Sequence, residues 1–449
     1  MAGSELRLSP DGTKRQQGCV ATIYRESAWR DRDLDSLLAE LHSFAVREGV
    51  EVLIAGGGLI GLLLATACAG AGLEVAIVDP TDPAAMLGEG FDGRCSAIAY
   101  GSSRVLDALG LWSEIGSRAE PIVEIRVADD TSPLFVHYDH QQLRTGEPLG
   151  YVVENLVLRR VLVERARSLP SLSFLAPLTV DSVEASALAA VTTLSDGRTV
   201  RSRLVAAADG HKSPMRRAAG IGAVEWPYRQ TSMVATVQHK RPHGGIAVEH
   251  FLPAGPFAIL PMNDNRSSIV WTEQSELASL LVGLPDVAFA GELAARFGDF
   301  LGAVEVIGPR WTYPLGLMLA ERYVACRLAL VGEAAHVIHP IAGQGLNLGI
   351  RDVAALAELV IDRRRLGLDI GDDTLLARYQ RWRRFDTLML AVVTDGLNRL
   401  FSNSIAPIRL ARGLGFAGVH RLPPLKRLLM HDAMGIFGDL PRLVRGEPL

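Results

Sequence analysis

Apolar and polar positions near residue 50 follow the pattern of a β-α-β unit. The apolar run in residues 51–55 is typical of a buried parallel strand. Residues 59–71 then predict a helix, and residues 73–78 predict a second apolar strand that ends at Asp79. Three glycines between the first strand and the helix form a G-x-G-x-x-G pattern: Gly56, Gly58 and Gly61.

Each position of this unit suits the binding of a dinucleotide. Gly56 suits a tight turn, Gly58 lets the backbone approach a pyrophosphate, and Gly61 lets the helix pack closely on the strand. The helix N-terminus attracts phosphates, and the carboxylate of Asp79 is placed to accept hydrogen bonds from an adenosine ribose. The alternative is a glycine-rich turn that binds no ligand, because such turns can show the same glycine pattern. The unit by itself does not distinguish NAD from FAD as the dinucleotide.

A second strand-loop-helix pattern follows late in the chain. Residues 327–331 predict a strand, residues 332–349 carry an acid and several glycines, and a helical run continues to about residue 364. This pattern predicts a second helix N-terminus that faces a ligand. Two such sites in one fold suit a long cofactor.

The two ends of the chain differ from its middle. Residues 1–49 predict a leader with one amphipathic helix at 33–47, in which leucines and a phenylalanine recur at helical spacing. Residues 405–434 mix apolar residues with cations suited to an anionic surface, among them Arg409, Arg412, Arg421, Lys426 and Arg427. The alternative for this tail is a helix pair that packs on the rest of the protein and leaves a solvated basic face.

Composition excludes several classes of protein. Of 449 residues, 48% are hydrophobic and 21% are charged, which excludes disorder for the bulk of the chain. The net charge of −4 is too close to neutral for a general nucleic-acid binder. Four dispersed cysteines without a C-x-x-C pair fit neither a disulfide framework nor a zinc site and favour a reducing compartment. The uncharged run 52–73 contains six glycines, which argues against a membrane span.

Charge is unevenly distributed along the chain. Residues 361–449 contain 15 Lys and Arg against 9 Asp and Glu, a net charge of +6, which leaves −10 for the preceding residues. The C-terminal end is therefore the basic end.

Three motifs in order resemble those of the FAD-dependent aromatic hydroxylases. Gly332-Glu333-Ala334-Ala335-His336, with Pro340 and Gly343-Gln344-Gly345, resembles their second flavin motif. Asp209-Gly210, with Ser213 and Arg216, resembles their central motif, which is associated with flavin and nicotinamide cofactors. The first glycine motif lies at the matching spacing.

Further stretches narrow the resemblance to the ubiquinone-biosynthesis hydroxylases, which oxidise polyprenyl-phenol intermediates. These stretches are residues 150–155, 255–261, 270–272 and 339–352, and the resemblance covers about residues 50–449. Glu333 stands where the family usually has Asp, and one extra methylene keeps the same acceptor chemistry. His250 stands where Arg is more usual, a departure that bears on substrate choice.

The predicted fold class is α/β, a doubly wound Rossmann-like FAD domain with an inserted β-rich substrate domain and a helical C-terminal tail. The predicted boundaries are 50–230 for the first part of the FAD domain with substrate-layer segments, 231–320 for the substrate domain, 321–365 for the second flavin motif and 366–449 for the helical region.

The resemblance implies that NADH or NADPH reduces FAD as a transient reductant, and that O2 supplies the oxygen placed on a phenol ring. Backbone N–H groups at the start of the long helix would face the negative charge of reduced flavin, and Pro340 would fix the loop beside the ring. The predicted catalytic positions are Pro340, Gly345 and Leu346. The predicted cofactor positions are Gly56, Gly58, Gly61, Asp79, Arg94, Asn155, Arg159, Asp209, Gly332, Glu333, Gly343, Gly345, Leu346 and Asn347.

Several of these residues have a plainer alternative. Arg94 would otherwise be a surface arginine, Asn155 and Arg159 a solvated helix face, and Asp209 a helix cap. We predict no metal site, because Glu333, His336 and His339 do not share one helix face and Pro340 follows them. His336 is expected to pack against its own loop. The further G-x-G-x-x-G matches at residues 88–93 and 413–418 do not stand between an apolar strand and a helix as the first motif does, which favours transient nicotinamide binding on the flavin domain.

The resemblance also implies a polyprenyl-phenol substrate, O2 and a ubiquinone-biosynthesis complex as partners. The basic tail predicts peripheral membrane contact, and the near-neutral net charge predicts no nucleic-acid partner. The expected location is cytoplasmic, peripheral to the inner membrane. Two other functions stay open, a hydroxylase of a small soluble aromatic and a non-catalytic flavoprotein scaffold. The sequence does not give the ring position, the prenyl length or the choice between NADH and NADPH.

Overall fold

A computed structural model describes residues 49–83, 85–88, 92–129, 135–143, 146–402 and 422–449. The helix predicted at 33–47 and most of the predicted tail, including Arg409, Arg412 and Arg421, lie outside the described residues.

The described strands fall into three sheets. In chain order they are β1 Gly49–Ala55, β2 Val75–Val78, β3 Cys95–Ala99, β4 Glu120–Ile122, β5 Glu124–Asp129, β6 Phe135–Asp139, β7 Gly150–Glu154, β8 Leu172–Leu175, β9 Val180–Ala185, β10 Ala190–Leu194, β11 Thr199–Ala207, β12 Ala223–His239, β13 Ile246–Leu252, β14 Gly255–Met262, β15 Arg266–Gln274, β16 Val304–Ala320, β17 Val324–Ala325, β18 Leu328–Leu330 and β19 His336–Val337.

The described helices cover the sheets and connect them. They are α1 Leu59–Gly70, α2 Tyr100–Ala108, α3 Trp112–Gly116, α4 Asn155–Ser168, α5 Pro214–Ala218, α6 Ser275–Val282, α7 Asp286–Phe297, α8 Gln344–Arg365, α9 Asp373–Phe401 and α10 Pro423–Ala433. Short 3-10 turns include Ala85–Leu87, Gly332–Ala334 and Ile341–Gly343.

A parallel sheet at the centre of the described fold carries both flavin motifs. Its parallel order is β18-β11-β1-β2-β8, with β17, β10 and β9 added in antiparallel pairings. The strand residues Leu53, Ile54 and Ile77 are fully buried, because helices on both faces cover a parallel sheet. Helices α1, α4 and α8 pack into the same apolar core.

A second sheet, which we call the substrate sheet, has the order β19-β16-β12-β15-β14-β13-β5-β6. It is antiparallel except for the parallel pair β13 and β5. One face packs against α6 and α7 in an apolar cluster that includes Trp271 and Phe289. The opposite face contacts β7, the 3-10 turn Ile341–Gly343 and the end of α9. The third sheet, β3-β7-β4, lies between the two larger ones.

The structure confirms the α/β fold class, the β-α-β unit and the long helix after the second motif. The strand β18 is shorter than predicted, and helix α8 ends at Arg365. None of the described helices is long and apolar enough to cross a membrane.

Candidate active site

The first glycine motif forms an open cradle between β1 and α1. Gly56 has a φ of +105°, and a Cβ there would lie 2.3 Å from the carbonyl oxygen of Ala208. A Cβ on Gly61 would lie 1.9 Å from the carbonyl oxygen of Gly56, so only glycine allows this approach. A Cβ on Gly58, in contrast, would meet no atom within 4 Å. The space beside Gly58 is therefore free for a ligand.

Asp79 closes one side of this cradle. Its Oδ2 accepts a hydrogen bond from the Gly57 N–H at 2.6 Å, and its Oδ1 accepts one from the Thr81 N–H at 2.7 Å. A carboxylate has about four lone-pair directions, so both oxygens keep capacity for ribose hydroxyls. The side chain thus faces the glycine turn as the sequence predicts.

A cleft of about 480 Å³ joins this cradle to two arginines from other elements. Its walls are Gly57, Gly58, Asp79, Thr81, Ala85, Met86, Gly88, Asp92, Arg94, Leu156 and Arg159. Two cations in a cleft that starts at a helix N-terminus suit the negative charge of a pyrophosphate.

The two arginines are held differently. The guanidinium of Arg94 donates to Asp92 through Nε at 3.0 Å and Nη2 at 2.7 Å, and lies 4.7 Å from the centre of the Trp311 ring. The indole Nε1 of Trp311 donates to the Asp92 carbonyl at 2.6 Å, which fixes this loop against the substrate sheet. Arg159 donates to the Met86 carbonyl at 3.2 Å.

Asn155 lies at the start of α4 but is not among the residues that line the cleft. Its side-chain oxygen accepts a hydrogen bond from Ser96 Oγ at 2.7 Å, and its N–H donates to the Arg94 carbonyl at 3.0 Å. The structure therefore places Asn155 behind Arg94, where it connects α4 to β3.

Asp209 lies directly beside the first motif, because a Cβ on Gly56 would come within 3.0 Å of the Asp209 nitrogen. Its Oδ2 accepts a hydrogen bond from the Met215 N–H at 3.0 Å, so the residue caps α5. Its Oδ1 is buried without a hydrogen-bond partner. Burial raises the pKa of this carboxyl, against the lowering effect of hydrogen bonds from Ser213 and Met215. The orphaned oxygen is available to a ligand hydroxyl.

The second motif approaches the first through the side chain of Ile60 on α1. Cβ atoms on Gly332 and Gly349 would lie 3.2 Å and 2.7 Å from this side chain. The neighbouring carboxylate of Glu333 is exposed and makes no hydrogen bond or ion pair with any described residue. The two motifs therefore meet, and Glu333 presents a free acceptor next to that meeting point.

The start of α8 is held by the side chain of Asn347. Its amide nitrogen donates to the carbonyls of Ala97 and Gly343 at 2.8 and 2.9 Å, and its oxygen accepts from the Ala99 N–H at 2.8 Å. Gly345 is exposed, and a Cβ there would meet no atom within 4 Å. The first N–H groups of a helix have no partner inside the helix, so those of Gly345 and Leu346 are left for other partners.

Pro340 and Gly343 shape the turn that precedes this helix. The Gly343 N–H donates to the Pro340 carbonyl at 2.9 Å. Gly343 has a φ of +62°, and a Cβ there would lie 3.0 Å from the Cβ of Ala97. The preceding His339 is fully buried beside Tyr228, and neither ring nitrogen has a partner. Desolvation lowers the pKa of His339 to about 4, so the imidazole is neutral.

A buried ionic network supports the second motif from behind. Asp352 on α8 accepts hydrogen bonds from His336 Nε2 at 2.6 Å, Arg383 Nε at 2.8 Å and the Gly332 N–H at 3.1 Å. Desolvation alone would raise the pKa of Asp352, but His336 and Arg383 hold it below its usual value. The expectation that His336 packs against its own loop is therefore wrong. His336 pairs instead with an acid sixteen residues further along the chain.

These features fit FAD. The open cradle at Gly58 and the two-arginine cleft suit the ADP half, and the free carboxylate of Glu333 and the orphaned oxygen of Asp209 suit hydroxyl groups. Among the described residues, no group of three or more His, Cys, Asp and Glu side chains is placed to hold a metal ion.

Comparisons with known proteins agree with this geometry. Residues 49–385 match the family described as FAD binding domain. The ubiquinone hydroxylase UbiL of Rhodospirillum rubrum is 53% identical over 89% of this chain and 93% of that protein. The 3-demethoxyubiquinol 3-hydroxylase of Escherichia coli is 34% identical over 86% of this chain and 98% of that protein.

Solved structures show the same fold. The crystal structure of p-nitrophenol 4-monooxygenase PnpA from Pseudomonas putida has a TM-score of 0.71 and 21% identity, and the match covers 86% of this chain and 99% of that one. Fold and site together define an FAD-dependent aromatic-ring monooxygenase, an oxidoreductase that uses NAD(P)H and O2. More narrowly, the chain belongs to the family of FAD-dependent hydroxylases of ubiquinone biosynthesis.

Sequence reasoning missed several residues that shape this site. Asp92 stands two positions before Arg94, and this close spacing of opposite charges is a signal that could have identified it. Trp311 and Arg383 reach the site from distant elements and carry no local signal.

Proposed function

We propose that this enzyme hydroxylates the aromatic ring of a polyprenylated phenol in ubiquinone synthesis. The observation that carries the proposal is the apolar face of the substrate sheet opposite the turn Ile341–Gly343. Val136, Phe251, Ile341 and Phe401 form one buried cluster there, with the rings of Phe251 and Phe401 stacked at 4.1 Å. Such a wall suits a prenylated ring better than a small polar aromatic. The named substrates of the relatives support the same class.

We assign the roles of the site residues within this proposal. Gly56, Gly58 and Gly61 form the pyrophosphate cradle, and Asp79 takes the adenosine ribose. Residues Arg94 and Arg159 neutralise the pyrophosphate, and Asn155 positions Arg94. Glu333, Asp209 and Gly332 contact the middle of the cofactor. Pro340, Gly343 and Asn347 fix the turn from which the N–H groups of Gly345 and Leu346 stabilise negative charge on reduced flavin.

We also propose the division into an FAD domain at 50–230 and 321–365, a substrate domain at 231–320 and a helical region at 366–449. Strands β5 and β6 come before residue 231 in the chain, but β5 pairs with β13 of the substrate domain and β6 pairs with β5. This pairing supports the prediction that residues 50–230 contribute segments to the substrate layer.

Product analysis tests the function. Purified enzyme with FAD, a nicotinamide cofactor, O2 and a 2-prenylphenol should give a product heavier by one oxygen, and ¹⁸O2 should label it. Nicotinamide oxidation that needs no phenol and yields no product would favour a scaffold. Turnover of a small aromatic acid but not of the prenylated phenol would favour the soluble-aromatic alternative.

Contact with a membrane is part of the proposal, because a polyprenyl phenol resides in the bilayer. Support comes from α9, whose outer face exposes Phe385, Leu388, Met389, Val392 and Val393 beside the exposed arginines Arg378, Arg381 and Arg384. An apolar stripe next to cations suits an anionic lipid surface. Lys426 is only 9% exposed, so the interpretation of this lysine as a surface cation is wrong.

A further inference from the structure

Glu249 is a carboxylate on the wall of the substrate sheet that faces the flavin domain. Side chains alternate between the two faces of a strand, so Ala247, Glu249 and Phe251 on β13 point to one side. Ala247 and Phe251 belong to the clusters that contact β7 and the turn Ile341–Gly343. Val248 on the same strand packs instead into the opposite cluster, under α6 and α7. Glu249 therefore projects towards the flavin side.

The immediate neighbours of Glu249 are apolar. Its cross-strand partners are Val127 on β5 and Ala258 on β14, and directly paired residues share a face. One pleat further along lies Phe251, which packs with Ile341, the residue after Pro340. The carboxylate thus occupies an apolar wall close to the turn that precedes α8.

No described residue compensates this carboxylate. Glu249 makes no hydrogen bond and no ion pair with any of them. The residue is partly exposed, so it is not sealed in packed core. Desolvation raises the pKa of Glu249 to about 7. An uncompensated carboxylate costs stability, and such groups persist where a ligand uses them.

Other titratable side chains share this face but do not neutralise Glu249. They include Asp129 on β5, Tyr138 on β6, and Lys426, which lies one turn before Met430 on α10. Cys95 and Tyr100 pack in the same cluster as Ala247. Strand β14 and the turn Ile341–Gly343 contain no titratable residue. Desolvation raises the pKa of Tyr138 and lowers that of Lys426, as it does for groups on an apolar wall.

The geometry points to Glu249 as the catalytic base that accepts the hydroxyl proton of the phenol substrate. The phenolic O–H bond breaks, the proton moves to a carboxylate oxygen of Glu249, and the electron pair stays on the phenolate oxygen. The phenolate is a stronger nucleophile at its ring carbons, which is what oxygen transfer to the ring needs. This inference rests on the proposed function and adds the residue that activates the substrate.

The experiment compares FAD-loaded full-length wild type with Glu249→Gln, Glu249→Asp and the control Glu305→Gln. Glu305 is an exposed acid on β16 of the same sheet. The kcat/KM for a 2-geranylphenol of wild type should rise with pH through a midpoint near 7, because the base must be ionised. Glu249→Gln should lower kcat/KM by about 100-fold or more and remove this rise. Glu249→Asp should keep the pH dependence, and Glu305→Gln should behave as wild type.

Flavin affinity and thermal stability provide readouts besides activity. FAD affinity should be the same in all four proteins. Because the pKa of Glu249 is higher in the folded protein than in the unfolded chain, this residue costs the folded protein no stability below the unfolded-chain pKa. The protein loses stability as pH rises through about 7 and the buried carboxyl ionises. Glu249→Gln mimics the protonated acid, so its Tm should exceed that of wild type at pH 8, with a smaller difference at pH 5.

Opposite results overturn the inference. A Glu249→Gln enzyme with kcat/KM within threefold of wild type, a lower Tm at pH 8, or a failure to fold would each show that the carboxylate is structural or idle. Wild type that forms no hydroxylated product from the phenol would instead reject the proposed function, which separates the two failures.

Discussion

At the scale of single residues, the first flavin motif uses two of its glycines for opposite reasons. Gly61 is required because an added Cβ would overlap the Gly56 carbonyl oxygen, whereas the space beside Gly58 is empty. Gly61 therefore serves the fold, and Gly58 serves the ligand. Both positions are glycine in the sequence, so only the structure distinguishes the packing role of Gly61 from the ligand-binding role of Gly58.

Gly58→Leu should abolish FAD binding while the protein stays folded, because the new side chain would fill the space of the pyrophosphate. Flavin content after purification and Tm measure the two effects. Gly70→Leu is the matched control, since Gly70 ends the same helix and a Cβ there also meets no atom within 4 Å. Stoichiometric FAD in Gly58→Leu would reject the cradle.

Glu333→Ala should weaken FAD binding by about 1.5–3 kcal/mol, the value of a hydrogen bond to a charged group. Glu333→Asp should bind FAD nearly as wild type, because it keeps an acceptor at this position. Flavin titration by fluorescence measures both, with Glu321→Ala as an exposed acidic control. Equal affinity in wild type and Glu333→Ala would exclude this contact.

At the scale of elements, the sequence predicted what local patterns encode. The β-α-β unit and helix α8 follow from apolar runs bounded by glycines, and the structure confirms both. The pairing of β5 with β13 was not predictable, because these strands lie more than a hundred residues apart and no turn joins them. Asn155 was placed by helical spacing alone, which does not show that Ser96 takes up its side chain.

Asp352 connects α8, α9 and the second motif, so a substitution there tests how strongly these elements are held together. Asp352→Asn should lower the free energy of unfolding by about 3–5 kcal/mol, because Arg383 and His336 lose a buried charge partner. The lowered pKa of Asp352 means that its stabilisation is present above its unfolded pKa and disappears as pH falls through the folded value. The difference from wild type should therefore shrink in acid.

Urea unfolding at several pH values measures this effect. Asp362→Asn is the control, because Asp362 lies on the same helix but pairs with Arg442 at a half-exposed site, where an ion pair contributes about 0–1 kcal/mol. Equal losses in both variants would contradict a special role for the buried network.

At the scale of the whole molecule, the apolar outer face of α9 and the substrate wall lie at opposite sides of one helix. Phe401 at the end of α9 stacks on Phe251, while Phe385 and Val392 on the same helix are 69% and 59% exposed. Helix α9 therefore connects the proposed lipid contact to the proposed substrate pocket.

The protein should co-sediment with vesicles that contain anionic lipid at low salt and be released at high salt, since each cation near the surface contributes about 1 kcal/mol. Phe385→Ser with Val392→Ser should weaken this binding and lower activity on a long-chain substrate in vesicles, but not on a short-chain phenol in solution. Leu280→Ser is the control, because Leu280 is 71% exposed on α6, far along the chain from α9. Unchanged vesicle binding in the double variant would exclude the α9 contact.

The order of strands in the central sheet also determines when the flavin site can be completed during translation. Strand β1 ends at Ala55, but β18, which completes the parallel order beyond β11, begins only at Leu328. At about 5–20 residues per second, a ribosome needs roughly 15–55 seconds to make the chain between them. Until β18 has been made, the nascent chain contains the first flavin motif without the second. FAD can therefore bind the complete site only after most of the chain has been translated.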